Sequence, residues 1–260
     1  MSENNNRSRN NFFMQILGIL ILISLWEGLT ILLQIPEFIF PRLSVIVREF
    51  SSYPFFFLDG FFKTYLESVL GLLIGGSAAY LLALLFSFSR VIKQIFFSWF
   101  VALKTVPIIA ISPLIVLWVG SGTISKIIMA SIITFFPILV NTLKGLYNIT
   151  ENQINLFKSL NANSWQIFTK LRLPMSIGYL FAGLKIASPL STIGAIVAEF
   201  SGANEGLGYI VLKSSWESNT KSLMVAVILA SLMGITLYKI IELCEFFVNK
   251  LLPHTNNNKV

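Results

Sequence analysis

Long stretches without a charged residue limit what this chain can fold into more than any other feature. Glu67 and Arg90 enclose 22 uncharged residues, Lys104 and Lys126 enclose 21, and Lys126 and Lys144 enclose 17. A helix of about 20 residues crosses the ~30 Å hydrocarbon core of a bilayer. Only 12% of the 260 residues are charged, about half the usual share in a soluble domain. These features argue against a single soluble domain.

The apolar runs predict an all-α polytopic membrane protein with six transmembrane helices. We treat residues 12–247 as one transmembrane domain between polar tails at 1–11 and 248–260. Residues 34–63 form a longer external segment with one short helix after Pro41, and residues 200–221 form a glycine-containing external loop. The six spans are expected at about residues 12–33, 64–89, 95–118, 124–146, 177–199 and 222–247.

The basic residues predict the orientation. With six spans both termini lie on one side, and that side carries 11 Lys and Arg residues against 6 on the other. Cytoplasmic loops carry the excess of positive charge in membrane proteins. We therefore expect both termini in the cytoplasm, and the net charge of +7 needs no nucleic acid to explain it.

The side-chain inventory argues against covalent chemistry. Cys244 is the one cysteine and His254 the one histidine, so an intrachain disulfide and a multi-cysteine metal site are excluded. The chain has no G-x-x-x-x-G-K-[ST] motif, whose backbone and lysine hold nucleotide phosphates. We therefore expect no enzyme activity, no ATP hydrolysis and no metal or cofactor bound by this chain.

A polar cytoplasmic segment, residues 148–176, carries apolar residues at helical spacing on both sides of Asn161. Asn tolerates the left-handed conformation that ends a helix. Ser164 is expected to cap the next helix, and Pro174 to end that helix or to start the following span. The segment is then a helix–turn–helix under the membrane. It either rests on lipid or docks a cytoplasmic partner, and the pattern alone does not separate the two.

This segment resembles the EAA loop of ABC-importer permease subunits, and more of the chain is similar to their nitrate/sulfonate/taurine-type branch. Similar segments are LKTVPIIAISPLIVLWVGSGTISKIIMASIITFFPILVNTLKGL at 103–146, AGLKIASPLSTIGAIVAEFSGANEGLGYIV at 182–211 and TYLESVLGLLIGG at 64–76. The resemblance covers about residues 36–247. It implies a type I importer permease in the inner membrane. Its cargo would be a small solute, expected to be anionic (a sulfonate, taurine or nitrate), or else a thiamine-precursor pyrimidine.

The resemblance also implies partners. Two permease subunits, expected to be a homodimer, would form the pathway, and a solute-binding protein would deliver the cargo. Separate ATP-binding subunits would hold ATP and Mg²⁺ and dock on residues about 151–172. The docking residues implied by the match are Asn155, Leu156, Phe157, Lys158, Leu160, Asn161, Ala162, Ser164, Phe168 and Pro174.

The chain departs from the family pattern within this loop. Asn155, Leu156 and Phe157 replace Glu-Ala-Ala, and Asn161 replaces the loop glycine, while Lys158 and Pro174 match. The larger Leu and Phe side chains imply a differently shaped groove on the ATPase. We therefore expect a dedicated ATPase partner.

Charges and prolines inside the spans give candidate pathway or gating residues: Lys104, Pro107, Pro113, Lys185 and Glu199. A cation in lipid costs at least about 2.5–3.5 kcal/mol, so each lysine is expected to face the bundle interior, a cavity or an interface. There it either snorkels or forms a structural ion pair, or it lines the pathway of an anion. Prolines kink helices, either as fixed architecture or as hinges. Glu199 is expected at the external interface, and Gly71-x-x-x-Gly75 marks either close helix packing or a dimer seam.

Two other function classes remain open from the residues. A self-sufficient secondary transporter or channel would need intramembrane acids that couple to H⁺ or Na⁺, and Glu27, Glu67 and Glu199 are the candidates. A membrane-embedded enzyme would need paired acids, His or Cys facing one cavity.

Overall fold

A computed structural model describes residues 2–251 of the chain, without the side chains of residues 2–13, 15, 16, 90, 92, 96, 100, 103 and 104. His254 and the predicted tail beyond residue 251 lie outside this description. The described residues form helices and connecting turns, and no strand. The helices are α1 (Ser2–Leu32), α2 (Leu43–Ser52), α3 (Pro54–Phe88), α4 (Arg90–Lys104), α5 (Ile108–Val119), α6 (Thr123–Tyr147), α7 (Glu151–Ser159), α8 (Ser164–Ile167), a π turn (Phe168–Arg172), α9 (Leu173–Glu199), α10 (Leu207–Trp216) and α11 (Thr220–Leu251).

The helix lengths confirm the all-α membrane fold. Among the described residues, four helical stretches are long and apolar enough to cross a bilayer: Pro54–Phe88, Thr123–Tyr147, Ser164–Glu199 and Thr220–Leu251. Two shorter apolar helices, Leu17–Leu32 and Ile108–Val119, accompany them. The short helix expected after Pro41 is α2.

The prediction of one uninterrupted span over 95–118 is wrong. The backbone leaves the helix between Lys104 and Ile108, and Pro107 caps the start of α5 in an extended conformation. Proline lacks the N–H that would continue the helix, and it pushes the preceding residue away from helical angles. Pro107 therefore separates α4 from α5 where a kink was expected.

The prediction of an external loop over 200–221 is also wrong in part. Residues 207–216 form the helix α10. The glycines before it do make the turn, because Gly202 and Gly206 have φ values of +127° and +99°, which non-glycine residues rarely adopt. The apolar spacing over the ten residues of α10 was too short to predict a helix so close to these glycines.

The chain forms two compact units. The first unit consists of the residues up to Leu58 together with Ile210–Ile228. The second unit consists of Asp59–Tyr209 together with the residues from Leu229 onward. In the first unit, the Trp26 indole N–H donates to the Pro41 carbonyl at 3.1 Å. The Glu27 carboxylate accepts from the backbone and hydroxyl of Ser44, in the first turn of α2. Glu27 therefore holds the start of a helix.

The same unit carries two contacts between the 33–42 loop and the start of α11. Lys221 pairs with Glu37 at 2.7 Å, and this ammonium group holds the pKa of Glu37 below its ordinary value. The Thr220 hydroxyl donates to the Phe38 carbonyl. Both Glu37 and Lys221 are well exposed, so the ion pair orders the loop with little effect on stability.

In the second unit, small residues let α6 pack closely against its neighbours. A Cβ at Gly194 of α9 would lie 2.8 Å from the Ala130 Cα of α6. On α3, Gly71 lies against Ala130 and Gly75 against Ser131 in the same way. Gly71-x-x-x-Gly75 therefore serves close packing within one chain. The buried core beside it joins α3, α6, α9 and the π turn through Leu72, Ala79, Ala83, Phe86, Ile138, Leu139, Leu143, Leu146, Phe168 and Ala187.

Candidate functional site

Residues 148–176, which we call the coupling loop, fold as two helices joined by a tight turn. The first, α7, begins at a capping box: the Thr150 hydroxyl accepts from the Gln153 N–H at 3.4 Å, and the Gln153 side chain accepts from the Thr150 N–H at 3.0 Å. Such reciprocal bonds satisfy helix-end N–H groups that otherwise lack partners. Glu151 lies in the first turn and Lys158 in the last, which suits the helix dipole.

Two large apolar side chains are exposed on α7 and at its C-cap. None of its residues is buried. Leu156 is 60% exposed and Leu160, its C-cap, is 73% exposed, and the two are four residues apart, on one face of the helix. Asn155 and Lys158 are exposed beside them, while Phe157 is half-buried. An apolar pair with a basic neighbour is suited to docking.

The turn after α7 confirms the expected left-handed residue. Asn161 has a φ of +55°, and the Ala162 N–H donates to the Phe157 carbonyl at 3.0 Å. The cap expected at Ser164 is wrong by one residue. Asn163 caps α8, because its side-chain oxygen accepts from the Gln166 N–H at 2.8 Å. The Gln166 side-chain oxygen in turn accepts from the Asn163 N–H at 2.9 Å. Asn is as good a capping residue as Ser.

Phe168 lies in the core and not on the exposed docking surface. It is 8% exposed, and its ring centroid is 4.5 Å from that of Phe88 at the end of α3. Trp165, which the sequence analysis did not single out, stacks on Phe88 at 6.3 Å and remains 63% exposed. Phe168 therefore fixes the coupling loop to the bundle, and Trp165 extends the apolar surface.

The helical path is continuous from the coupling loop into α9. Residues 168–172 form a π turn and Pro174 follows in the first turn of α9. Of the two alternatives for Pro174, it starts the following span and does not end the path. Proline has no N–H to continue the regular hydrogen-bond ladder, and the π turn directly before it is the local irregularity beside which it lies. A displacement of α8 is thus passed to α9 without a flexible linker.

A cavity of about 750 Å³ opens beside α3, α5, α6 and α9. Its described lining is mainly apolar and aromatic, including Ile108, Phe136 and Val140, with Ser131 and Asn141 as polar groups. No charged residue is among the described lining residues. Asn141 donates to the Pro137 carbonyl at 2.8 Å, which leaves its amide oxygen as an acceptor.

The two candidate intramembrane lysines lie on different helices, α9 and α4. Lys185 of α9 pairs with Glu245 of α11 at 2.8 Å, and both side chains are mostly covered. This favours the structural alternative, an ion pair between two helices. Lys104 ends α4, but its side chain lies outside the described residues.

The other candidate gating residues are spread over different environments. Pro107 starts α5 and Pro113 lies within it, both exposed. Glu199, expected at the water-facing end of α9, is instead 1% exposed. Its carboxylate accepts from the Thr64 hydroxyl of α3 at 2.6 Å and from the Gly208 N–H of α10. These residues therefore differ in burial: the two prolines are exposed, Glu199 is buried, and the Lys185 side chain is mostly covered.

The chain is similar to a known family and to curated relatives. The family described as binding-protein-dependent transport system inner membrane component matches residues 71–249. The formylaminopyrimidine transport permease protein ThiX of Halalkalibacterium halodurans is 31% identical over 90% of this chain and 92% of its own length. The putative aliphatic sulfonates transport permease protein SsuC of Bacillus subtilis is 25% identical over 96% of this chain and 91% of its own.

A solved structure supports the same fold. The MetNI methionine ABC transporter, in an inward-facing conformation, has a chain that superimposes with a TM-score of 0.58 at 18% identity. The match covers 72% of this chain and 95% of that chain. At this identity the similarity concerns the fold.

Proposed function

The chain belongs to the family of binding-protein-dependent transport system inner membrane components and is the permease of an ABC importer, and we propose that its coupling loop receives a separate ATP-binding subunit. The observation that carries the proposal is the exposed pair Leu156 and Leu160 on a doubly capped loop. An apolar surface of this kind, bordered by Lys158, is suited to a groove with a complementary acidic rim.

The motion of the ATPase would reach the spans through the continuous path 164–199. Closure of an ATPase dimer displaces α7 and α8, and the displacement passes through the π turn to α9. Because packed helices move as stiff bodies, the displacement tilts α9 together with the helices packed on it. The spans then switch access between the two sides of the membrane without covalent chemistry.

The proposed assembly holds more than this chain. Two permease subunits, here taken as a homodimer, form the pathway, and a solute-binding protein delivers the cargo on the side opposite the coupling loop. ATP and Mg²⁺ are held by the partner ATPase, since this chain has no phosphate-binding loop. The excess of Lys and Arg on the terminus side supports cytoplasmic termini in the inner membrane.

The cavity supports a choice between the candidate cargoes. An anion such as a sulfonate needs a cation or several N–H donors to replace its hydration shell, and the described lining contains no charged residue. Phe136 and the acceptor oxygen of Asn141 instead suit a flat ring with N–H groups. Of the cargo classes considered, a thiamine-precursor pyrimidine fits this lining better than a sulfonate or nitrate.

Co-purification tests the docking proposal. The tagged chain is expressed with each candidate ATP-binding subunit, and complex yield and ATPase activity are measured in lipid nanodiscs. We expect Leu156→Asp to abolish the complex, because it places a charge in an apolar contact, and the conservative Leu156→Met to retain it. Equal yields for the two variants would contradict the docking role.

Uptake by cells tests the cargo proposal. Cells that carry the whole transporter receive radiolabelled formylaminopyrimidine or an alkanesulfonate. We expect uptake of the pyrimidine to fall at least about tenfold for Asn141→Leu, which removes the hydrogen-bonding group. Uptake of the sulfonate alone would contradict the pyrimidine assignment and leave the permease function intact.

A further inference from the structure

Glu199 holds the first turn of α10 against α9 and α3. Its carboxylate accepts from the Gly208 N–H and from the Thr64 hydroxyl, the latter at 2.6 Å. The same Thr64 oxygen accepts from the Leu207 N–H at 2.8 Å. Two N–H groups at the start of α10 are thus satisfied by side chains from two other helices. A carboxylate at this end also suits the helix dipole.

The backbone before and within α10 is shaped around this carboxylate. A Cβ at Gly208 would lie 2.6 Å from Glu199 Oε2 and 2.7 Å from the Ile196 carbonyl oxygen. A Cβ at Gly206 would overlap the other carboxylate oxygen, and its φ of +99° already disfavours a side chain. Glycines at these two positions let the chain pass directly over Glu199.

A second acid, Glu67, lies beside Glu199 and shares its burial. Glu67 is 5% exposed and lies one helical turn after Thr64 on α3. Its carboxyl group faces the Glu199 carboxyl group, and its buried Oε2 atom has no hydrogen-bond partner among the described residues. Two carboxylates have no hydrogen between them to share, so this contact requires one proton on the pair.

The charged groups around Glu67 and Glu199 favour a state in which the two acids hold one proton between them. Lys126 of α6, 4% exposed, acts electrostatically on both acids while its ammonium group donates to the Ser121 carbonyl. Glu205, in the turn before α10, also acts electrostatically on Glu67, but its own charge is paired with Lys63 at 2.6 Å. With one proton on the acid pair, the buried group of Glu67, Glu199 and Lys126 is neutral, which is the cheapest state in a low dielectric.

We propose that Glu67 and Glu199 share one proton and together form a latch, a pair of positioning residues that fastens the first turn of α10 to α9 and α3. Glu67 donates to Glu199, and Glu199 in turn accepts from Thr64 and Gly208. Loss of the shared proton leaves two buried anions facing each other, and their repulsion opens the latch. The latch therefore weakens as the pH rises.

The latch lies at the far end of the helix that starts at the coupling loop. α9 has 27 residues and is about 40 Å long. Resting on the proposed function, the latch makes the start of α10, residues 207–209, follow α9 when the coupling loop moves. The hold of the latch on the start of α10 can be measured by hydrogen exchange without a transport assay. A failure of the latch and a failure of the docking proposal therefore give different results.

Amide hydrogen exchange tests the latch in the purified full chain in lipid nanodiscs. Exchange of the peptide over 207–216 is compared between variants at equal pH, from pH 6 to pH 9.5, so that intrinsic exchange rates cancel. Glu199→Ala removes the three hydrogen bonds that this carboxylate accepts, from Gly208, Thr64 and Glu67, and we expect exchange about tenfold faster or more at pH 6. Glu217→Gln, an exposed change at the other end of α10, is the matched control and should equal the wild type.

Glu67→Gln separates the shared proton from a purely structural role. Its amide N–H donates to Glu199 at every pH, so exchange should match the wild type at pH 6 and stay slow at high pH, where the wild type accelerates. The comparison stands even if Glu199→Ala fails to fold. The same pH response in the wild type and Glu67→Gln would overturn the proposal, as would equal exchange for Glu199→Ala and Glu217→Gln.

Discussion

Gly75→Ala should destabilise the bundle because α3 touches α6 at this point. A Cβ at Gly75 would lie 2.5 Å from Thr134 Oγ1 and 2.9 Å from the Ser131 Cα. Backbone cannot move aside as a side chain can, so the two helices must separate. Overpacking of this kind costs about 1–3 kcal/mol, and the better helix propensity of alanine offsets up to about 1 kcal/mol. The net loss of unfolding free energy is then up to about 2 kcal/mol when alanine's helix propensity offsets the full amount.

Gly178→Ala is the matched control, because nothing lies within 4 Å of its Cβ position on α9. Reversible denaturant unfolding in mixed micelles, followed by tryptophan fluorescence, measures both variants. We expect the midpoint to fall for Gly75→Ala and to stay unchanged or rise for Gly178→Ala. Equal midpoints for the two variants would refute the close packing of α3 on α6.

Three further sets of variants test the coupling loop and the intramembrane ion pair. Leu156→Ala with Leu160→Ala should weaken ATPase binding about a hundredfold by titration, since covering their 60% and 73% exposed side chains gives together about 2.7 kcal/mol; unchanged affinity contradicts this. Lys185→Met should lower unfolding free energy by about 2 kcal/mol by leaving Glu245 unpaired, and adding Glu245→Leu should restore most of it; a double variant no more stable than the single variant contradicts a simple pair. Asn161→Gly should keep ATPase coupling and Asn161→Val reduce it, because only Val is strained at a φ of +55°; equal ATPase activities contradict this.

The helices were predictable wherever the sequence contains a long run without charged residues. Runs between charges located the cores of α3, α6 and α11, because a bilayer imposes one length on every span. The break before α5 was not predicted, since a proline within an apolar run kinks some helices and interrupts others. Whether the proline kinks or interrupts the helix depends on which side chains pack around it, and these contacts could not be predicted from the sequence.

The candidate site was predictable in its local parts. Asn161 was correctly assigned to the left-handed turn, because that preference belongs to the residue itself. The buried position of Phe168 was not predicted: an apolar residue on an amphipathic helix faces either a partner or its own core, and Phe88 is 80 positions away in the chain.

The acids were the least predictable of the site residues. Glu199 was expected to contact water because it ends an apolar span, and only the approach of Gly208 and Thr64 explains its burial. Such a group depends on contacts between helices distant in sequence. A glutamate followed by three glycines within nine residues was the one signal available, and this pattern has no specific meaning alone.

Uptake into proteoliposomes tests the central claim most directly. The chain is reconstituted with its ATP-binding subunit and solute-binding protein, and uptake of radiolabelled formylaminopyrimidine is measured with internal or external ATP or with an imposed H⁺ or Na⁺ gradient. The account predicts uptake only when ATP is present on the side of the coupling loop and all three components are included. Uptake by this chain alone, driven by an ion gradient without ATP, would contradict it.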